Sequence, residues 1–298
     1  MLGVVRRAAA VLGRALITVG VLILLFVAYQ LWGTGIYASQ QQNRLRHEFA
    51  SELSKTPATT TPTTNPTVTT TTAPSPPLPP PGNAVARIQI PKIGLDAIVV
   101  DGVGTDDLRM GPGHYPLTPL PGQRGNSAIA GHRTTYGAWF GNLDQLTTGD
   151  QILIRTVQGF FTYRVYQQEV VDPSDVAVLS PDPSRPATLT LTTCNPKYSA
   201  SQRLVVKAAL NSPAPPLPPP RGLPRPTKLV ADSSLSGDSG SLIPALVTGL
   251  IAAAIGGLWW LAYHRHARFT TWIIGAIPFL VTLFFFYTYL ERLLPANY

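Results

Sequence analysis

The only cysteine in the chain lies in a stretch whose residue types suit acyl transfer. Cys194 follows Thr190-Leu-Thr-Thr, and the alternation of Thr and Leu predicts a strand over residues 188–193. Asn195-Pro196 then predicts a turn, and the next strand begins at Arg203. If the two strands are antiparallel neighbours, the thiol and the guanidinium face each other across one rim of a sheet.

A lone cysteine with a histidine elsewhere in the chain is a hypothesis for a nucleophile and its proton shuttle. His132, in Ala-Ile-Ala-Gly-His-Arg, is the preferred partner of Cys194. His114, in Gly-Pro-Gly-His-Tyr-Pro, is the alternative because its setting is equally loop-like. Arg203 does not lose its proton, so its donors suit an oxyanion or a substrate carbonyl, and Arg133 is the alternative cation.

These motifs carry a resemblance to a known family. Thr190–Cys194 with Pro196 and Arg203 resembles the TLxTC…R signature of the sortases, the cysteine transpeptidases that attach proteins to Gram-positive cell walls. His132, in its Gly-His-Arg setting, resembles the catalytic histidine of that family. Together with Gly113-His-Tyr-Pro116, the pattern most resembles the class E sortases of actinobacteria.

The resemblance covers residues 86–210 and implies a closed eight-stranded barrel with Cys194, His132 and Arg203 as catalytic residues. It implies cleavage after Thr in an LPxTG-like sorting signal, with LAxTG expected for class E, and transfer to an amine of a peptidoglycan precursor. Tyr115 lies where class E enzymes are thought to choose Ala over Pro in the signal. Thr193 precedes the nucleophile and is a second candidate substrate contact, although β-propensity and packing are the simpler explanations for these two residues.

No cluster has the spacing of a zinc site, and neither a metal nor a cofactor is expected. Asp101, Asp106 and Asp107 form an alternative calcium site, but solvated loop acids are the preferred interpretation.

Short strands separated by turn signals surround these residues and predict an all-β barrel or sandwich. Seven or eight strands are expected, and the clearest runs cover residues 86–90, 98–100, 126–132, 151–155, 160–171, 187–194 and 203–210. Short helices are expected over 105–110 and from Asp172 through Val178. The long connection 172–186 is a candidate substrate loop.

The charge distribution argues against nucleic acid as a partner. The chain has a net charge of +8, but residues 85–211 hold 11 Lys/Arg and 10 Asp/Glu, so the basic excess lies in the flanks. Three of the flanking arginines, Arg6, Arg7 and Arg14, precede an apolar run over residues 15–32. That run predicts an uncleaved anchor rather than a cleaved signal peptide, with the N-terminus in the cytoplasm.

Two further apolar runs, joined by the basic loop His264-Arg-His-Ala-Arg268, predict a multi-pass membrane protein whose barrel lies on the extracellular side. The alternative is a buried helical hairpin. The predicted divisions are 1–38 (N-terminus and first transmembrane helix), 39–84 (juxtamembrane helix and Thr/Pro-rich linker), 85–211 (catalytic domain), 212–241 (second linker), 242–263 and 272–290 (transmembrane helices), 264–271 (basic cytoplasmic loop) and 291–298 (tail).

Within residues 39–84, Leu45, Phe49 and Leu53 form one apolar stripe of a helix. A plain extension of the anchor is the preferred interpretation, and a helix resting on the membrane or on a neighbour is the alternative. Residues 56–82 are almost entirely Thr and Pro, which predicts an extended stalk.

The expected partners are secreted proteins with C-terminal sorting signals, a lipid-linked peptidoglycan precursor and the membrane. The main rival function is a non-catalytic, stalked cell-surface binding module, which predicts that Cys194→Ala leaves function intact. A stem-crosslinking cysteine transpeptidase would show Ser-x-Gly-Cys, and a papain-like protease would place its cysteine at the start of a helix. Neither pattern is present around Cys194.

Overall fold

The computed structural model describes residues 2–55, 82–211, 217, 239–265 and 269–293. The predicted stalk over 56–82 and the second linker over 212–241 fall almost wholly outside the described residues, as do parts of the basic loop and of the tail. The chain forms two compact units, one made of residues 1–34 and 236–296 and the other made mainly of residues 35–235.

The larger unit is a closed eight-stranded barrel, so the predicted all-β architecture is confirmed. Around the barrel the strands follow the order β1-β2-β3-β4-β7-β8-β6-β5. Their bounds are β1 Ala84–Ile90, β2 Leu95–Asp101, β3 Gly113–His114, β4 Gly125–Ala130, β5 Gln151–Thr156, β6 Gly159–Val171, β7 Ala187–Asn195 and β8 Gln202–Leu210.

Alternating apolar residues build the barrel interior because successive side chains of a strand point to opposite faces. In β1, Ala86, Ile88 and Ile90 are buried in the core. Tyr163 of β6 is the largest fully buried side chain, and its hydroxyl accepts a hydrogen bond of 2.7 Å from the Gly122 N–H. The polar tip of this core tyrosine is therefore satisfied.

Strand β3 was not predicted, because two residues are too few to show alternation. It pairs in parallel with β2 and antiparallel with β4, and so closes the barrel between them. A side chain at Gly113 would collide with the carbonyl oxygen of Gly102, which explains why this tight passage is glycine-rich.

Strand β7 is buried on both faces, which explains its Thr-rich sequence. The hydroxyls of Thr188 and Thr190 donate to Asn126 Oδ1 at 3.0 and 2.9 Å. Asn126 Nδ2 in turn donates to the carbonyl oxygen of Val178 at 3.2 Å. The outer face of β7 is thus covered by the 172–186 connection, whose 3₁₀ helix spans Val176–Leu179. Asp175 caps that helix by accepting from Ala177 N.

Helix α2, Thr34–Lys55, follows a π-helical stretch, Tyr29–Gly33, and lies against the barrel. Leu45 and Phe49 are buried with Ile98 and Val100 of β2. The apolar stripe of Leu45, Phe49 and Leu53 therefore packs on a neighbour, which was the alternative interpretation, and that neighbour is the barrel. The short helix α3, Thr105–Met110, has the predicted bounds.

The smaller unit contains α1 (Leu2–Ala28), α4 (Leu242–Arg265) and α5 (Phe269–Leu293). Among the described residues, two helices are long and apolar enough to cross a membrane, Leu242–Tyr263 and Ile273–Leu293, each with mean hydropathy 2.0. The apolar part of α1, Leu12–Ala28, is shorter, and its role as an anchor stays a prediction. The Tyr287 hydroxyl donates to Leu22 O at 2.6 Å, so α1 and α5 pack together.

Candidate active site

Cys194 and Arg203 lie directly opposite each other at one end of the β7–β8 ladder. Opposed residues of an antiparallel pair project from the same face, which is the arrangement that the sequence predicted. Cys194 is a free thiol and is partly buried. Arg203 Nη1 donates to Ala200 O at 3.0 Å and to Gln202 O at 3.1 Å, so the backbone at the start of β8 and just before it holds the guanidinium.

His132 follows immediately after β4, the parallel neighbour of β7. The pairing of β4 with β7 ends at Ala130 opposite Thr192, and the Gly131 N–H extends it by donating to Thr192 O at 3.1 Å. His132 lies two residues after Ala130, and Cys194 lies two residues after Thr192. The barrel therefore brings the predicted nucleophile and the predicted shuttle to the same rim.

Arg133 fastens this rim from the side of His132. Its Nη1 donates to Cys194 O at 3.0 Å and to Asn195 Oδ1 at 2.6 Å, and its Nη2 lies 3.3 Å from Asp144 Oδ1. The sequence offered Arg133 as the alternative cation. Its guanidinium instead binds the end of β7 and the carboxylate of Asp144. Arg203 is therefore the cation on the strand opposite the thiol.

The Thr193 side chain is buried and forms a hydrogen bond to a neighbouring segment of the backbone. Its side chain is only 3% exposed, and its hydroxyl donates to Gly131 O at 2.8 Å. The Thr193 side chain therefore joins β7 to the segment that carries His132, and its role as a substrate contact stays a prediction.

The His132 ring lies in a setting that favours its neutral form. Its Nε2 is buried and has no hydrogen-bond partner among the described residues. Its ring centroid lies 5.5 Å from that of Tyr136. Burial, and to a smaller extent the positive charge of Arg109, lowers the pKa of His132 to about 4. Desolvation penalises an imidazolium, and a like charge adds to that penalty.

The Cys194 thiol is also held in its neutral form. Burial raises the pKa of Cys194, and the nearby charges of Arg203 and Arg133 oppose that shift. The resting pair at neutral pH is therefore a thiol and a neutral imidazole. The two arginines favour the thiolate when it forms.

His114 does not belong to this rim. It is 0% exposed, and its Nδ1 lies 3.1 Å from Asp101 Oδ1. Its Nε2 lies 3.1 Å from Pro119 O and 3.2 Å from Thr118 Oγ1. Both ring nitrogens thus have protein partners, and His114 is a structural residue of β3.

Tyr115 lies at the same end of the barrel as Cys194. Its hydroxyl is 3.2 Å from Thr192 Oγ1, and its ring packs against the cluster that contains Val178 and Leu179 of the 172–186 connection. Burial raises the pKa of Tyr115, while the Thr192 hydrogen bond and the Arg203 charge oppose the shift. The residue therefore lies between the nucleophile strand and the candidate substrate loop.

The three acids considered for calcium have protein partners. Asp101 is bonded to His114, Asp106 Oδ1 lies 3.2 Å from Arg109 Nη1, and Asp107 Oδ2 accepts from Gly104 N at 3.1 Å. Across the described ranges, no group of three or more His, Cys, Asp or Glu side chains is arranged to hold a metal ion.

Sequence reasoning missed Arg109 and Tyr136. Arg109 belongs to a short helix that is distant from His132 in sequence, so only the folded chain brings it near the histidine. Tyr136 lies four residues after His132, but no motif in that loop indicates that the two rings meet.

Comparison with known proteins agrees with this geometry. The sortase domain family model matches residues 88–211. Sortase SrtE1 of Streptomyces coelicolor is 32% identical over 213 residues, which cover 67% of this chain and 56% of that protein. Putative sortase YwpE of Bacillus subtilis is 30% identical over 105 residues, which cover 35% of this chain and 89% of that protein.

The solved structure of sortase E from Streptomyces avermitilis is 38% identical to this chain, with a TM-score of 0.40. The matched region covers 45% of this chain and 91% of the sortase E chain. The chain thus spans little more than half of SrtE1 and nearly the whole of YwpE. The chain belongs to the sortase family and is similar to its class E members.

Proposed function

We propose that this protein is a membrane-anchored cysteine transpeptidase that joins secreted proteins to the cell wall. It cleaves an LAxTG-like or LPxTG-like sorting signal after Thr, and it transfers the new carboxyl end to an amine of a peptidoglycan precursor. The proposal rests on membership of the sortase family, in which this chemistry is the common activity.

The observation that carries the proposal is the position of three side chains at one rim of the barrel. Cys194 and Arg203 are opposed across β7 and β8, and His132 follows the parallel neighbour strand at the same level. A nucleophile, a proton shuttle and a fixed cation are the three groups that acyl transfer at a peptide bond requires.

In the first half-reaction, the Cys194 proton passes to His132 and the sulfur attacks the Thr carbonyl carbon. The S–C bond forms, the carbonyl oxygen takes the negative charge, and the bond from the Thr carbon to the Gly nitrogen then breaks. His132 gives its proton to the departing amine. A thioacyl-enzyme and a free Gly amine result, so atoms and charge balance.

In the second half-reaction, the acceptor amine attacks the thioester carbon and loses a proton to His132. The C–S bond breaks, and the sulfur recovers a proton from His132. Because the buried histidine holds a proton weakly, it gives that proton up readily to either the leaving amine or the sulfur.

Arg203 stabilises the oxyanion of both tetrahedral intermediates. A guanidinium presents several N–H donors in a fixed plane, and it keeps its charge throughout the reaction. Its Nη1 donates to Ala200 O and Gln202 O, which fixes one terminal nitrogen of the guanidinium, so little reorientation is needed when negative charge develops.

Tyr115 is proposed to contact the second residue of the signal. Its ring stands between β7 and the Val176–Leu179 helix, and its hydroxyl is bonded to Thr192, two residues before the nucleophile. A side chain in this place can distinguish the compact Ala from the ring of Pro.

The protein is proposed to act at the cell membrane as a multi-pass protein with its barrel outside the cell. Support comes from the two long apolar helices and from the basic clusters that flank the apolar runs in sequence. The wall precursor and the secreted substrates are both available on that side.

The test is amine transfer by the full-length protein in detergent. A labelled LAxTG peptide is incubated with an amine acceptor such as triglycine, and the ligated product is measured by chromatography. We expect product from the wild type and none from Cys194→Ala. Equal product from both proteins would refute the proposed chemistry.

A further inference from the structure

The orientation of the His132 ring is the feature from which this inference starts. In most nucleophile–histidine pairs a carboxylate or amide group binds the second ring nitrogen and fixes the ring. Here Nε2 is buried without a hydrogen-bond partner in the described part of the chain. No hydrogen bond to Nε2 from the described residues orients the imidazole, so its ring contacts gain importance.

Tyr136 is an aromatic neighbour of His132. The two ring centroids are 5.5 Å apart and the planes are inclined by 35°. Tyr136 is 7% exposed, and the guanidinium carbon of Arg109, from α3, lies 5.4 Å from the centre of its ring. The tyrosine ring is thus fixed between a cation and the histidine.

The backbone at Tyr136 is held in an unusual conformation. Tyr136, Gly137 and Ala138 have φ angles of 48°, 84° and 45°, a left-handed run that bulky side chains rarely adopt. The loop is closed by hydrogen bonds from Phe140 N to His132 O at 3.0 Å and from Ala138 N to Thr135 O at 2.9 Å. Strain of this kind persists where the surrounding structure enforces it, and it is concentrated at functional sites.

Tyr136 also touches helix α2, which precedes the family-matched region in sequence. The ring of Tyr37 meets the ring of Tyr136 edge-on, with centroids 6.3 Å apart and an angle of 82°. An edge-to-face pair at this distance is attractive as well as space-filling.

Helix α2 is bound to the barrel firmly enough to transmit position. Gln42 is 2% exposed, its Oε1 accepts from Ile98 N at 2.7 Å, and its Nε2 donates to Ile98 O at 2.9 Å and to Met110 O at 3.0 Å. Arg46 Nη2 donates to Asp96 O at 2.7 Å. The helix is thus attached to β2 and to the end of α3, which is the helix that supplies Arg109.

From these contacts we infer that Tyr136 and Tyr37 are positioning residues that hold the His132 imidazole by ring packing, which makes helix α2 part of the catalytic unit. This inference rests on the proposed transpeptidase function. Tyr136 and Tyr37 are additional to Cys194, His132 and Arg203, and helix α2 lies outside residues 88–211, which the family model matches.

The test uses the full-length protein in detergent and a fluorogenic LAxTG peptide, with kcat and KM measured separately. A displaced general acid reduces turnover far more than ground-state binding, so Tyr136→Leu is expected to lower kcat about tenfold or more with KM changed less than about twofold. Tyr136→Phe retains the ring and is expected to stay within about threefold of the wild type in kcat.

Tyr37→Ala tests the helix separately. Tyr37 is 42% exposed, so its removal should leave folding intact and lower kcat about threefold to tenfold, and Tyr37→Phe should restore kcat. Gln40→Ala, at an exposed position on the same helix, is the matched control and is expected to match the wild type. In a Tyr136→Leu background, Tyr37→Ala should have little further effect, because the two rings act in series.

Melting temperatures identify any variant that fails to fold. If Tyr136→Leu is unstable, the kcat values of the Tyr37 variants test the inference instead. The inference would be overturned if the wild type is active and both Tyr37→Ala and the folded Tyr136 variants retain full kcat. The proposed function would still stand in that case. A wild type that forms no product would instead refute the proposed function itself.

Discussion

The Thr193 hydroxyl donates a hydrogen bond of 2.8 Å to the carbonyl oxygen of Gly131. Each of these residues immediately precedes one member of the proposed reacting pair, because Cys194 follows Thr193 and His132 follows Gly131. This one buried bond therefore fixes the spacing of the two strand ends from which the thiol and the imidazole project.

Replacement of Thr193 by Val keeps the shape of the side chain and removes that donor. We expect Thr193→Val to lower the free energy of unfolding by about 1–3 kcal/mol, since the buried Gly131 carbonyl loses its partner. Turnover should fall as well, because the rim loses its brace. Thr193→Ser, which retains the hydroxyl, is the control. Chemical unfolding and peptide kinetics measure the two effects, and unchanged stability in the valine variant would contradict this role.

His114 and His132 should respond oppositely to substitution. His114→Gln removes a buried ring that is bonded to Asp101, Thr118 and Pro119, and should cost about 1–3 kcal/mol of stability. His132→Gln should abolish turnover and cost little stability, because Nε2 has no partner to lose within the described residues. Thermal melts and peptide cleavage by both variants separate the two roles. A folded but inactive His114→Gln protein with normal stability would reverse the assignment.

The lowered pKa of His132 predicts a dependence of stability on pH. The unfolded histidine binds its proton below about pH 6.5, whereas the folded one binds it only near pH 4. Between these values the unfolded state holds more protons, so stability is full above the upper value and is lost as the pH falls through this window.

His132→Gln should flatten that part of the profile. Melting temperatures of the wild type and the variant across this pH range provide the measurement. Parallel curves would mean that the His132 proton equilibrium is the same in the folded and unfolded protein.

The strands of the barrel and the opposition of Cys194 and Arg203 could be predicted because their signals are local. The sequence predicts that the thiol and the guanidinium lie opposite each other, from the alternating Thr and Leu of β7, the Asn195-Pro196 turn and a strand that includes Arg203. The register of β7 against β8 confirms this position. Strand β3 could not be predicted, because two residues are too few to show the alternation of apolar and polar side chains.

The surroundings of His132 could not be predicted, for a physical reason. Arg109 reaches it from α3, and Tyr37 reaches it from α2 through Tyr136, so the contacts join segments that are far apart in sequence. The hydrogen bond from Thr193 to Gly131 could not be predicted either, because a threonine on a strand has the same sequence signal whether it meets a ligand or a neighbouring carbonyl. Only the register of β4 against β7 distinguishes these cases.

Helix α2 should contribute to the stability of the barrel. A fragment of residues 83–211 exposes Ile98 and Val100, which Leu45 and Phe49 otherwise cover. A fragment of residues 35–211 with the stalk kept should therefore melt at a higher temperature than the shorter one. Leu45→Ala in the longer fragment should cost about 2–5 kcal/mol, with Gln40→Ala as the surface control. Equal melting temperatures for the two fragments would show that the helix adds nothing to the fold.

The most direct test of the central claim is intact-mass spectrometry of the full-length protein in detergent, incubated with matched LAxTG and LPxTG peptides. We predict an adduct whose mass equals the peptide cleaved after Thr, carried on Cys194, formed more readily with the Ala peptide and absent in Cys194→Ala. Preference for the Pro peptide would keep the thioacyl chemistry and remove the proposed role of Tyr115. No adduct with either peptide, from protein that melts cooperatively, would contradict the account.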